Sequence, residues 1–120
     1  MQELTHYIGG QHVKGKSGRF ADVMNPATGE VQAKVPLASN DEMAEAVAIA
    51  ARAQVGWAAT NPQKRARVLM KFVELLHRDM DKLAEALSRE HGKTIPDAKG
   101  DVIRGLEVAE FCFGAPHLLK

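Results

Sequence analysis

The apolar residues of this chain change their spacing once, between Pro36 and Ser39. Before that point they recur at every second position, as where Val31, Ala33 and Val35 are set against Glu30, Gln32 and Lys34, the period of a half-buried strand. After it they recur every three to four positions, the period of one helix face. A β part followed by an α part is the organisation this switch imposes.

Within the β part, His6-Tyr7-Ile8 and Gln11-His12-Val13 flank Gly9-Gly10, two residues free to take positive φ, so the stretch reads as a hairpin. Gly15 to Gly18 is a polar connector. Phe20, Asp22 and Met24 alternate against Ala21 and Val23, and Asn25-Pro26-Ala27-Thr28-Gly29 supplies the turn into the next strand, giving a second hairpin that Pro36 ends.

The α part opens with a capping box, Ser39 followed three residues later by Glu42, and Met43, Ala46, Val47, Ala50 and Trp57 form the expected face of the first helix. Asn61-Pro62 is a cap and a proline restart, after which Leu69, Phe72, Val73, Leu76, Met80, Leu83 and Leu87 continue an apolar stripe that Asp79 is expected to interrupt and recap. Gly92 is the expected C-terminal stop. Thr94 and Pro96 open a further helix with Ala98, Val102, Leu106, Ala109 and Phe113 inward, and Gly114-Ala115-Pro116 closes it, leaving Leu118-Leu119-Lys120 as a connection. The sum is two β-hairpins followed by three to four helices.

Composition narrows the function. Sixteen basic residues against fifteen acidic ones leave a formal charge of +1, so no global field recruits nucleic acid or a membrane surface, and any ligand must be recognised locally. Cys112 is the only cysteine, which excludes an internal disulfide framework and a multi-cysteine metal site and fits a reducing compartment. The start of the chain has neither a secretory nor a transit pattern, and no stretch has the length of a membrane span. A cytoplasmic setting is expected, or the mitochondrial matrix for a processed eukaryotic form.

Several residues invite a chemical reading. Gly10 to Ser17 matches the phosphate-loop pattern G-x-x-x-x-G-K-S, yet Gly18-Arg19 leads into another β-run instead of a helix, so the match lacks its strand-loop-helix context. Among five histidines, His6 and His12 are placed to face each other across the hairpin, but no third ligand accompanies them. Cys112 lies between Phe111 and Phe113 late in an apolar helix, where a core thiol is expected and not an activated nucleophile.

Arg104 is the candidate that remains. Gly100 at i−4 and Gly105 leave the backbone around it bare, giving a planar guanidinium room to grip a carboxylate with two hydrogen bonds. Each helix glycine costs about 1 kcal/mol relative to alanine, which suggests close approach by something. The opposing reading is equally concrete: Asp101 at i−3 and Glu107 at i+3 are spaced to pair with Arg104 on a solvated face.

Five stretches together resemble the N-terminal part of an aldehyde dehydrogenase: Tyr7-Ile8-Gly9-Gly10, Asn25-Pro26-Ala27-Thr28-Gly29-Glu30, Trp57, Arg65-Ala66-Arg67-Val68-Leu69 and Glu90-His91-Gly92-Lys93. Gly100-Asp101-Val102-Ile103-Arg104-Gly105-Leu106-Glu107, Glu110-Phe111 and Gly114-Ala115-Pro116-His117-Leu118 are most similar to the methylmalonate-semialdehyde branch of that superfamily, which is acylating and coenzyme A-dependent. The resemblance implies an α/β, aldehyde dehydrogenase-like fold, with residues 1–120 as an incomplete N-terminal segment of the NAD-binding domain.

It also implies a mechanism: a cysteine thiolate attacks the aldehyde, hydride passes to NAD, and coenzyme A releases the acyl group with loss of carbon dioxide. In that branch an arginine at the position of Arg104 is implicated in recognising the substrate carboxylate. Cys112 does not match the family's nucleophile. The segment alone is therefore expected to be inactive, to bind neither NAD nor coenzyme A, and to expose helix faces that pack against the rest of the same enzyme, itself expected to be a homo-oligomer acting on a small semialdehyde. The competing class is a noncatalytic α+β interaction module.

Overall fold

The computed structural model of the chain describes residues 2–119. They fall into two compact units, divided between Ala58 and Ala59.

In the first unit, β2 (His6–Ile8) and β3 (Gln11–Val13) pair antiparallel with Ile8 opposite Gln11. Gly9 and Gly10 both have positive φ, 61° and 80°, which is the backbone a two-residue hairpin needs to match strand twist. The second hairpin joins β4 (Phe20–Met24) to β5 (Val31–Pro36). Its turn is held by the Asn25 side chain, whose Oδ1 accepts from the Ala27 N–H at 2.9 Å, and by Gly29 at φ 75°. The register shifts at Val23/Met24, so the alternation of β5 is broken at Gln32, which is half-buried and donates to the Met24 carbonyl. A further strand that the sequence does not announce, β1 (Gln2–Glu3), pairs parallel with β5 and gives a sheet of order β1-β5-β4.

The connector between hairpins runs tight against the end of β5. A Cβ on Gly15 would stand 2.7 Å from Pro36 Cβ, so only glycine fits there. Ser17 Oγ donates to the Leu37 carbonyl, and the Arg19 guanidinium donates to the Ala38 carbonyl at 3.0 Å.

Helix α1 (Asn40–Ala59) closes this unit, and its capping box is formed as expected. Of the expected face only Ala46 is half-buried, and no residue of the helix is fully buried. Met43 is 59% exposed and Val47 60%, and Trp57 is exposed as well; the half-buried line is Glu42, Ala46 and Ile49. This line faces the first hairpin and its connector: the Lys16 N–H bonds Glu42, and the Gly9 turn lies beside Ile49, where an added Cβ would stand 3.4 Å from it.

The second unit contains α2 (Pro62–Arg78), α3 (Met80–His91) and α4 (Ile95–Phe113), then a 3-10 helix, Ala115–Leu119, where the sequence suggested a connection; Lys120 lies outside the described residues. Asn61 caps α2 by accepting from the Gln63 N–H at 2.8 Å, with Pro62 in the first turn. Asp79 does divide α2 from α3 but does not recap, because its carboxylate is engaged by Arg78 at 2.6 Å and Lys82 at 3.5 Å. The Arg78 pair holds the Asp79 carboxyl below the usual range and raises the guanidinium in turn.

Gly92 ends α3 at φ 87°, a left-handed stop, and Thr94 caps α4 ahead of Pro96. Val73, Leu106 and Ala109 form the core, with Leu76, Met80 and Phe113 packed against it. Ala84 and Ala98 are fully enclosed, so the helices approach through small residues, while Phe72 of the expected stripe is exposed.

Candidate functional site

The turn at Gly92 delivers Lys93 to the start of α4 without making it part of the helix. Its backbone carbonyl accepts from Ser88 Oγ at 2.7 Å, and its side chain lies back along the first two turns of α4. There Nζ meets Asp97 at 3.2 Å and bonds Asp101 more closely. The Lys93 side chain is only 15% exposed. Asp101, then Asp97, hold its ammonium above the ordinary lysine value, and Lys93 in turn is the main cause that lowers Asp101.

Asp101 uses its second oxygen on Arg104. Arg104 Nη1 donates to Asp101 Oδ1 at 2.9 Å, and the guanidinium is otherwise held out from the helix, with its side chain 79% exposed. Among the described residues no other acceptor meets it; Glu107, at the right spacing, does not pair with it. The expected i−3 pair is thus formed through a single nitrogen. The Nε–Nη2 edge, which matches a carboxylate side-on, keeps its donors. Lys93, Asp97, Asp101 and Arg104 together carry two positive and two negative charges. Such a group presents a guanidinium without a net field of either sign.

A Cβ at Gly100 or Gly105 would meet nothing within 4 Å, so in the described residues no neighbour exploits the bare backbone on either side of Arg104.

The other candidates resolve as follows. Cys112 is exposed, not in the core: the inward line of α4 runs through Ala98, Leu106, Ala109 and Phe113, and Cys112 falls beside it next to the exposed Phe111. His6 and His12 do not face each other. His6 pairs with Val13 and His12 with Tyr7, which puts the two rings on opposite faces of the hairpin. His12 is hydrogen-bonded to Thr5 Oγ1 at 2.9 Å and stands edge-on to Tyr7, whereas His6 Nε2 is enclosed with no partner. His77 lies 3.7 Å from Glu110. No group of three metal-ligating side chains occurs among the described residues, and no described helix is long and apolar enough to cross a membrane.

The phosphate-loop match dissolves in the structure. Gly10 is the hairpin turn, residues 15–18 feed strand β4, and the Lys16 N–H that such a loop would turn to phosphate donates instead to Glu42 Oε1 at 2.6 Å. Among the described residues, three of the four α-helix N-termini are likewise occupied by their own caps, Ser39 and Glu42 at α1, Asn61 at α2 and Thr94 at α4, and at α3 the Asp79 carboxylate is turned to Arg78 and Lys82. Gly10 to Ser17 therefore does not form the backbone cradle that the pattern describes.

Comparison with known proteins completes the description. The model of the aldehyde dehydrogenase family matches residues 12–120. Malonate-semialdehyde dehydrogenase 2 of Geobacillus kaustophilus is 45% identical over 119 residues, which is 99% of this chain and 25% of that protein. The acylating, mitochondrial methylmalonate-semialdehyde dehydrogenase of Arabidopsis thaliana is 49% identical over 115 residues, 96% of this chain and 19% of that one. A crystal structure from Sinorhizobium meliloti 1021, assigned as a methylmalonate-semialdehyde dehydrogenase and complexed with NAD, superposes with a TM-score of 0.96 at 63% identity, covering 100% of this chain and 24% of its own. The chain spans about a quarter or less of the length of these relatives.

Proposed function

Because the chain belongs to the aldehyde dehydrogenase family, we propose that it is the leading segment of the NAD-binding domain of a methylmalonate-semialdehyde dehydrogenase. The reaction proposed for the complete enzyme is the coenzyme A-acylating oxidation of methylmalonate or malonate semialdehyde. The observation that carries this reading is the 63% identity and TM-score of 0.96, across the whole chain, to a protein of that assignment. The complete enzyme is proposed to be a homo-oligomer of the cytoplasm or the mitochondrial matrix.

In this reading Arg104 selects the substrate and performs no chemical step. A semialdehyde of this class carries a carboxylate at the end remote from the reacting carbon, and the Nε–Nη2 edge supplies two parallel charge-assisted donors for it. Binding that is equal in ground and transition state lowers KM and leaves kcat alone. NAD would accept the hydride and coenzyme A would carry off the acyl group, and this segment contributes residues to neither.

Two measurements test the proposal. The complete enzyme should reduce NAD with methylmalonate semialdehyde in the presence of coenzyme A, and Arg104→Ala should raise KM for that substrate by about ten- to a hundredfold over an uncharged aldehyde. Equal loss for both aldehydes would sink the selector role. The 120-residue chain alone should produce no NADH, and turnover by it would overturn the assignment as a leading segment.

A further inference from the structure

The Lys93–Asp101 pair has no assigned part in substrate recognition, yet Asp101 is the one residue that bonds the Arg104 guanidinium among the described residues. We propose that Asp101 is a positioning residue for Arg104 and that Lys93 makes that positioning compatible with an anionic substrate. The inference rests on the reading of Arg104 as the carboxylate selector.

Two requirements meet at this helix turn. An arginine side chain that is 79% exposed samples many rotamers, and ordering it on binding costs free energy. The bond from Nη1 to Asp101 Oδ1 holds the guanidinium in one orientation before substrate arrives and does so through the nitrogen that the side-on carboxylate grip does not need. A carboxylate in that position would by itself repel the substrate. Asp97 stands one turn back on the same helix, so Asp97, Asp101 and Arg104 alone sum to one net negative charge. Lys93 restores neutrality. It is also the more shielded of the two cations, bonded to both aspartates, and it holds the Asp101 oxygen that Arg104 leaves free.

The sequence hides this arrangement because Lys93 precedes the cap of α4, where helix spacing rules do not apply. Only the left-handed turn at Gly92 brings its side chain over Asp97 and Asp101.

The test is a KM and kcat comparison in the complete enzyme, with malonate-type semialdehyde and an uncharged aldehyde, for Asp101→Ala, Lys93→Met, Lys93→Arg and Arg104→Ala. Asp101→Ala and Lys93→Met should each raise KM for the carboxylated substrate about three- to tenfold, with kcat and the uncharged aldehyde unchanged. The Lys93→Met effect should shrink in high salt, and Lys93→Arg should recover most of the loss. If Arg104→Ala abolishes discrimination while both Asp101→Ala and Lys93→Met keep it, the positioning role is wrong and the selector stands. If Arg104→Ala also keeps it, the selector reading fails first. Should Asp101→Ala not fold, Lys93→Met decides alone: an unchanged KM ratio overturns the proposal.

Discussion

Ser39 and Glu42 cap each other across the first turn of α1: the Ser39 N–H donates to Glu42 Oε2 at 2.9 Å, and the Glu42 N–H donates to Ser39 Oγ at 3.2 Å. Glu42 also takes the Lys16 N–H, so one carboxylate fastens both the helix start and the connector between the hairpins. The Ser39 amide first, then that of Lys16, keep its carboxyl below the usual glutamate range. A carboxyl displaced downward contributes stability that is complete above its unfolded value and is lost as pH falls through the folded one, so the loss belongs below about pH 4. Amide exchange followed from neutral to acid pH should show the first turn of α1 opening in that window, and Glu42→Gln should flatten the acid limb. Ser39→Ala should cost about 1 kcal/mol at neutral pH.

In the second unit, Leu106 is 5% exposed and belongs to the cluster with Val73 and Ala109. Leu106→Ala should destabilise the unit by about 2–4 kcal/mol in urea unfolding. Ile103, on the same helix but 44% exposed, is the control, and its alanine variant should cost less than about 1 kcal/mol. Equal losses would mean that the core is not where the structure puts it.

The glycines flanking Arg104 make a prediction of the opposite sign. Open space surrounds both, and neither has positive φ, so Gly100→Ala and Gly105→Ala should each stabilise α4 in the isolated chain by about 0.5–1 kcal/mol. Thermal melting decides it; a lowered Tm would reveal a close approach that the described residues do not contain.

Cys112 should be open to reagents. A thiol-disulfide exchange dye added to the native chain should titrate one thiol without denaturant. Reaction only after unfolding would return Cys112 to the core.

What the sequence made legible was largely local. The caps at Ser39, Asn61 and Thr94 and the stop at Gly92 were readable because each satisfies backbone groups within four residues. The register of the first hairpin follows from its turn: two residues at Gly9-Gly10 set Ile8 against Gln11 and therefore His6 against Val13, which rules out the facing of His6 and His12. The face of α1 and the exposure of Cys112 were not calculable. Periodicity shows that a helix has an apolar side but not what covers it, and the strip at Ala46 and Ile49 is decided by a hairpin distant in sequence. At the candidate site, the Asp101–Arg104 pair followed from spacing and the proposed carboxylate role of Arg104 leans on the resemblance, whereas the contact of Lys93 with Asp101 followed from neither, although Lys93 lies in a stretch that carries the resemblance.

The parallel pairing of β1 with β5 sets an order of events during synthesis. Gln2 emerges from the ribosome early, but its partner Ala33 follows only in the last strand of the second hairpin. Each hairpin closes locally, while β1 must wait as an unsatisfied edge until β5 exists. A fusion tag placed directly before Gln2 would burden the last strand to dock, and a bulky one should slow maturation of the sheet without changing the helices that follow.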